Sequence, residues 1–182
     1  MGIKGFQKVA RILYWFFLIT YLVKLVPLVF LTLTGTIFVF LGDGGAYLYE
    51  PATYTLFTAD VNSLMKDNLA MKLIDLCSIF LSNFALIASY YLGSESFYSL
   101  SLGETPFSPW FVRKIRSISF LLVLEGLYAG VLYSVLQSLA MPNGYLITLG
   151  VGPSLFIGLI MYAVAGVFHY GMQLQKLSDD VI

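Results

Sequence analysis

Four long apolar stretches dominate the pattern of hydrophobic and polar residues along the chain. They cover about residues 9–32, 69–92, 115–139 and 147–172, and the first can extend to residue 41. Each is long enough to cross the hydrocarbon core of a bilayer as a helix, which takes about 20 residues. The pattern therefore predicts an all-α integral membrane protein, with four transmembrane helices in a single domain.

The first stretch is predicted to remain in the protein as a permanent span. Its apolar run is much longer than the roughly 7–15 residues of a secretory signal peptide. No pattern of small residues typical of a cleavage site follows it.

Composition supports the membrane class and excludes several functions. Hydrophobic residues make up 59% of the chain and charged residues 11%, whereas soluble domains have roughly 45–50% and about 25%. Ten basic and ten acidic residues cancel, so we expect no direct nucleic-acid partner. The single cysteine, Cys77, allows no internal disulfide and is expected to be a small buried hydrophobe. A single histidine is too few for a zinc site, so no metal or cofactor is expected.

Basic residues predict the orientation, because short cytoplasmic loops of membrane proteins are enriched in lysine and arginine. Such residues occur at the N-terminal end, around the start of the third span and in the C-terminal tail: Lys4, Lys8, Arg11, Arg113, Lys114, Arg116 and Lys176. The few charged residues of the segment between the first two spans are mostly acidic instead. Both termini are therefore predicted to be cytoplasmic.

The segment at residues 35–68 is predicted to be extracytoplasmic, and its start has two interpretations. Residues 36–40 and 46–49 are β-branched or aromatic and flank a Gly/Asp cluster, which is typical of a β-hairpin. Alternatively, the first span continues as helix to residue 41. Further on, Asp60 is placed to cap a helix that leads into the second span.

A cytoplasmic loop is predicted at residues 93–114. Pro106 and Pro109 prevent one continuous helix through it. Ser108 is suited to cap a new helix that has Pro109 in its first turn. That helix would carry Arg113, Lys114 and Arg116 into the third span.

Two motifs resemble a known family. Residues 103–118 read GETPFSPWFVRKIRSI, and residues 167–175 read VFHYGMQLQ. Together they resemble the YoaS-like bacterial family of small four-helix membrane proteins, a domain family of unknown function. The resemblance extends from the second span to the C-terminus, about two-thirds of the chain. This chain departs from the first motif by having two residues, Glu104 and Thr105, between Gly103 and Pro106.

The resemblance implies a location in the bacterial plasma membrane and a cytoplasmic partner. Members of the family are often encoded beside a small helix-turn-helix regulator, so such a protein is the expected partner. The predicted contact residues are those of the first motif: Gly103, Glu104, Pro106, Phe107, Ser108, Arg113, Lys114 and Arg116. The candidate site residues of the second, C-terminal motif are Phe168, His169, Gly171 and Gln175.

Charged residues within apolar spans mark candidate sites, because they are costly in a bilayer. Lys24 and Glu125 lie at depths that differ by about 6 Å on a rise of 1.5 Å per residue, which a lysine side chain can cover. Such a pair would be a proton or ligand site, or a structural clamp between two spans. Alternatively, Lys24 extends to the outer surface. Lys72 and Asp75 are interpreted as a pair at the membrane surface.

Small residues predict close helix packing. Gly126 and Gly130 form a GxxxG pattern in the third span, and glycines recur in the fourth. Either these two spans pack tightly, or the third forms a homodimer interface. Gly152 and Pro153 are expected to kink or start the fourth span.

Three functional hypotheses follow. The chain lacks any nucleophile-and-base pattern, so no catalytic residues and no enzyme are predicted. The first hypothesis is a regulatory or sensory membrane component that acts with a cytoplasmic partner. The second is a small dimeric transporter or export subunit that uses Glu125. The third is an immunity or envelope-stress resistance protein.

Overall fold

The chain is mostly helical. The computed structural model describes residues 3–41, 54–61, 69–140 and 145–179. Over these residues the elements follow in the order α1 (Ile3–Leu41), β1 (Tyr54–Val61), α2 (Leu69–Ser101), α3 (Pro109–Leu127), α4 (Tyr133–Ala140), β2 (Tyr145–Val151) and α5 (Pro153–Asp179). A π-turn at Tyr128–Leu132 joins α3 to α4. Residues 109–140 are therefore one uninterrupted helical rod, called here the α3–α4 rod.

Within the described part of the chain, three helices are long and apolar enough to cross a membrane: Lys4–Ile37, Leu69–Ser101 and Pro153–Ser178. The class predicted from the sequence is confirmed to this extent. The third predicted span is helical too, but it differs from the others in two ways. The π-turn divides it, and α3 carries four charged residues, Arg113, Lys114, Arg116 and Glu125.

Of the two interpretations of residues 36–40, the continuing helix is confirmed, because α1 reaches Leu41; residues 46–49 lie outside the described part of the chain. Other predicted boundaries differ from the structure. Residues 93–101, predicted as the start of a loop, are helical because α2 reaches Ser101, whereas α3 begins at Pro109 as predicted. Residues 147–151 belong to a strand rather than to the fourth span, and Asp60 also lies in a strand rather than at a helix start.

The two strands form an antiparallel pair that the sequence did not predict. Tyr54 pairs with Val151 and Val61 with Tyr145, with one irregularity between Thr55 and Phe57. β2 also lies against the rod, since Ser134 Oγ donates to the Thr148 carbonyl over 3.1 Å. The sheet therefore joins the segment after α1 to the one before α5.

The start of α1, the α2–α3 connection and the end of α5 meet at one end of the molecule. A Cβ placed on Gly103 would lie 3.0 Å from the Gln7 side chain, and one on Gly171 would lie 2.5 Å from Phe107. A buried cluster beside this end consists of Ala10, Leu100, Phe111, Ile115, Ile118 and Ala165. We call this the loop end of the molecule.

Glycines allow α3 and α5 to cross at very short range. A Cβ on Gly126 would lie 2.5 Å from the Leu155 backbone nitrogen, and one on Gly158 would lie 2.9 Å from the Ser119 carbonyl. Ser119 Oγ donates to the Gly158 carbonyl over 2.8 Å, inside this crossing. Tight packing of the third and fourth predicted spans is thus confirmed. Gly126 makes its close contact with α5 of the same chain.

The crossing gives a direct test of packing. We expect Gly126→Ala to lower the free energy of unfolding by about 1–3 kcal/mol, because the added methyl group meets backbone atoms that cannot move aside. Gly166→Ala is the matched control, since nothing lies within 4 Å of the position where its Cβ would be. Thermal unfolding of both variants in detergent measures the difference. Equal melting temperatures for the two variants would contradict the crossing.

Candidate functional site

A row of polar side chains connects α2 to the α3–α4 rod along an otherwise apolar interface. Residues 75, 78 and 82 of α2 are three and four apart, so they share one helix face. Each faces a polar group of the rod. The set, called here the polar ladder, comprises Asp75, Ser78 and Ser82 with Glu125, Tyr128, Tyr133 and Gln137.

One end of the polar ladder, towards the start of α2, is centred on the buried carboxylate of Asp75. Asp75 is 4% exposed and accepts hydrogen bonds from Tyr133 Oη at 2.8 Å and from Gln137 Nε2 at 2.7 Å. Next along the ladder, Ser78 Oγ lies 2.6 Å from Tyr128 Oη. The structure therefore buries Asp75 against the rod and gives it donors there, and its predicted pairing with Lys72 at the membrane surface stays a prediction.

The π-turn keeps the tyrosines of the ladder on one face. A residue five positions on lies about 140° around a regular α-helix, so Tyr128 and Tyr133 would not both face α2. The wider turn, in which the Tyr133 N–H donates to the Tyr128 carbonyl, inserts one residue and realigns them. Single π-turns of this kind often occur at functional sites.

Glu125 lies at the other end of the polar ladder, near the middle of the rod. Its hydrogen bonds connect three helices. Its carboxylate accepts hydrogen bonds from Ser82 Oγ of α2 at 3.0 Å and from Ser154 Oγ of α5. Ser154 follows Pro153 in the first turn of α5. The Glu125 carboxylate therefore lies beside the N-terminus of α5.

The glycine crossing brings Ser154 to Glu125. The Gly152 N–H donates to the Gly126 carbonyl over 3.0 Å, and a Cβ on Gly152 would lie 3.0 Å from the Gly126 Cα. Since Gly126 directly follows Glu125, the start of α5 is fixed beside the carboxylate. Sequence analysis missed Ser154, although the adjacent Gly-Pro pair marked the position as a helix start.

Glu125 borders two cavities. An interior cavity of about 480 Å³ has Glu125 and Ser154 at one side and Phe17, Tyr90 and Phe97 among its walls. The Phe17 and Phe97 rings are stacked, with centroids 5.4 Å apart. A second cavity, of about 730 Å³, lies between α2 and the rod and is lined mainly by leucine, valine and phenylalanine besides Glu125. One carboxylate therefore faces both an aromatic interior and an apolar groove.

The structure does not bring Lys24 and Glu125 together. Lys24 is exposed on α1 and has no ion-pair partner among the described residues, whereas Glu125 is satisfied by the two serines. The physical reason is that α1 packs on α2, so α2 provides the polar partner at this level. Cys77 was also wrongly predicted as buried, because its side chain is exposed beside Thr32 and Phe80.

The first motif forms two linked helix caps. The Gly103 N–H donates to the Leu100 carbonyl and the Glu104 N–H to the Ser99 carbonyl, which is a Schellman motif that ends α2. Gly103 supplies the required positive φ, of 101°. Ser108 then caps α3 by accepting from the Phe111 N–H at 3.2 Å, with Pro109 in the first turn. The predicted cap at Ser108 is confirmed.

The two motifs meet at the loop end. Phe107 contacts Phe168 with ring centroids 5.9 Å apart, and Gly171 leaves room for the Phe107 ring. Phe111 packs on Phe168 as well, at 5.4 Å. These aromatic contacts place the α2–α3 connection on α5.

The remaining motif residues lie near the surface. Pro106 and His169 are half-buried, whereas Glu104 and Gln175 are exposed. His169 Nε2 lies 3.3 Å from Gln173 Nε2. Over the described ranges, no three histidine, cysteine, aspartate or glutamate side chains are grouped as a metal site would require.

The three basic residues of the first motif have different surroundings. Lys114 pairs with Glu95 of α2 and lies 5.3 Å from the centre of the Trp110 ring. Arg113 and Arg116 are exposed, and Arg113 Nε reaches only the Pro109 carbonyl of its own helix, at 3.3 Å. Lys114 therefore fixes α3 to α2, whereas the two arginines point away from that contact.

Comparison with known proteins provides no relative. No protein-family model, no curated protein and no solved structure matches this chain. The resemblance to the YoaS-like family therefore stays a prediction, and the site is interpreted from its own geometry.

The buried Asp75 contact can be tested by removing one hydroxyl group. We expect Tyr133→Phe to lower the free energy of unfolding by about 1–3 kcal/mol, since a buried acceptor loses a donor. Tyr162→Phe is the matched control because Tyr162 is exposed on α5. Thermal unfolding in detergent reports both changes. A Tyr133→Phe variant as stable as the control would show that this contact contributes little.

Proposed function

We propose that this chain is a non-enzymatic, four-span regulatory membrane protein. In this proposal it binds a lipophilic cation at Glu125 and signals to a cytoplasmic partner. The α3–α4 rod would be the remaining span, third along the chain. Its residues 117–140 carry one charge, that of Glu125, whose two serine partners lower the cost of placing it in a bilayer.

The distribution of charge supports an orientation with the loop end in the cytoplasm. The N-terminal turns of α1, the start of α3 and the end of α5 carry the basic residues named above, and these segments meet at the loop end. The sheet lies towards the opposite end, beside α4. In the proposed orientation, within a bacterial plasma membrane, both termini would lie inside and the sheet outside.

The observation that carries the proposal is that a carboxylate and three aromatic rings line the same cavity. Phe17, Tyr90 and Phe97 supply aromatic rings, which attract cations, and Glu125 supplies the carboxylate. The volume of about 480 Å³ falls within the range usual for small-molecule sites. A lipophilic cation suits both features, whereas the carboxylate disfavours an anion and the apolar walls disfavour a strongly hydrated solute.

A single helix connects this cavity to the loop end. α3 runs from the Ser108 cap to Glu125 and the π-turn without a break. A ligand that replaces Ser82 or Ser154 as partner of Glu125 would alter the contacts of α3 with α2 and α5. Because Phe111 of the same helix packs on Phe168, a shift of α3 would change the surface presented by residues 102–108.

Binding of a defined probe tests the proposal. We expect the purified chain to bind tetraphenylphosphonium, and Glu125→Gln to weaken this binding about tenfold to a hundredfold, because a charge–charge contact is lost. Equilibrium dialysis in detergent measures the affinity. Neutral triphenylphosphine oxide should bind both proteins equally weakly.

The control removes a different carboxylate. Glu104→Gln changes an exposed loop side chain outside the cavity, so its affinity for tetraphenylphosphonium should equal that of the original chain. If Glu125→Gln and Glu104→Gln both leave binding unchanged, Glu125 is not the ligand site.

Copurification tests the cytoplasmic partner. We expect mild crosslinking in intact cells to recover a small cytoplasmic protein with the tagged chain, and Glu104→Lys to reduce this recovery severalfold by reversing a charge on the loop surface. Lys4→Gln is the control, because it changes a charge at the same end but outside the loop. Recovery of self-crosslinks alone would reject the partner and indicate a homodimer.

Transport is a second candidate function, favoured by the position of Glu125 on two cavities. A cation that moves from the cavity between α2 and the rod to the interior one would pass this carboxylate. Uptake of tetraphenylphosphonium into proteoliposomes, if abolished by Glu125→Gln, would favour a transporter over a regulator. Binding without uptake would favour the regulator.

A further inference from the structure

A groove between α3 and α5 combines two exposed arginines with an apolar floor. It measures about 740 Å³, and its lining includes Arg113, Arg116, Ser117, Phe120, Val123 and Tyr162. We call it the arginine groove. It is separate from the Glu125 cavity, which lies on the side of α3 that faces α1 and α2.

The lining of the groove is ordered along α3. Arg113, Arg116, Ser117 and Phe120 are spaced three, four and seven residues from the first, so they share one face of the helix. The charged and hydroxyl side chains lie nearest the loop end, and the apolar ones follow towards the middle of the rod. A phospholipid has the same order, with a charged headgroup at the surface and acyl chains directed inwards.

The arginines are available for an anion. Among the described residues neither guanidinium pairs with a carboxylate, whereas Lys114 between them is already paired with Glu95. Guanidinium groups bind phosphate oxygens through paired hydrogen bonds. Basic pockets between membrane helices on the cytoplasmic side are suited to anionic lipid headgroups.

We propose that the arginine groove binds an anionic phospholipid, with the headgroup phosphate on Arg113 and Arg116 and an acyl chain along Phe120 and Tyr162. The apolar floor distinguishes this occupant from a soluble phosphate compound, which would leave Phe120 and Tyr162 uncovered. The groove also runs along the sides of two helices towards the middle of the rod, where a cytoplasmic protein does not reach.

Native mass spectrometry of the full-length chain in detergent tests the proposal. We expect phosphatidylglycerol to remain bound under conditions that remove phosphatidylcholine. Arg113→Gln combined with Arg116→Gln should weaken phosphatidylglycerol binding roughly 30-fold, because each of the two arginines is expected to contribute a similar share of the binding free energy. Lys4→Gln combined with Lys8→Gln is the control of equal charge, and it should retain the lipid.

Two further measurements separate the outcomes. Inorganic phosphate in millimolar excess should not displace the lipid; if it does, the groove is a simple anion site and the proposal is wrong. Arg113→Lys combined with Arg116→Lys should restore part of the binding, which distinguishes lost recognition from misfolding. Equal loss of lipid in the Lys4/Lys8 control would also overturn the proposal, because binding would then follow net charge alone.

Discussion

The close crossing of α3 and α5 at Gly126 is the constraint on which the candidate site depends. A side chain at this position would collide with the backbone of Leu155, so the two helices can approach only because a glycine is present. The approach places the first turn of α5 beside Glu125, where Ser154 donates to the carboxylate. The hydrogen bond of Glu125 to Ser154 in the apolar interior therefore depends on the close packing of α3 against α5.

An apolar protein of this kind can keep polar groups in its interior only when they are paired. Among the described residues, every buried side-chain nitrogen or oxygen atom has a hydrogen-bond partner. Asp75 accepts hydrogen bonds from side chains of α4, and Glu125 accepts them from side chains of α2 and α5. The difference between the two carboxylates is access, since only Glu125 borders the aromatic cavity. This makes Glu125 the candidate for ligand binding and Asp75 a structural group.

The loop end explains why two distant motifs have the residues they have. Gly103 ends α2 with a positive φ, and Ser108 starts α3 by capping it, so the connection is short and well defined. Phe107 then packs on Phe168 and is accommodated by Gly171 of α5. The connection, α3 and α5 form one packed unit, and this is why we propose that a change at Glu125 reaches the loop surface.

The sequence by itself determined the helical membrane class, the helix cap at Ser108 and the tight packing of glycine-rich helices, because hydropathy, capping and small-residue patterns are local. Only the tertiary structure decided that Glu125 bonds to Ser82 and Ser154 rather than to Lys24, since partner choice depends on which helices are adjacent. It also decided the strand pairing of residues 54–61 with 145–151, which are distant in the chain. Apolar β-branched residues next to a predicted span fit helix and strand alike, and only the pairing partner distinguishes the two.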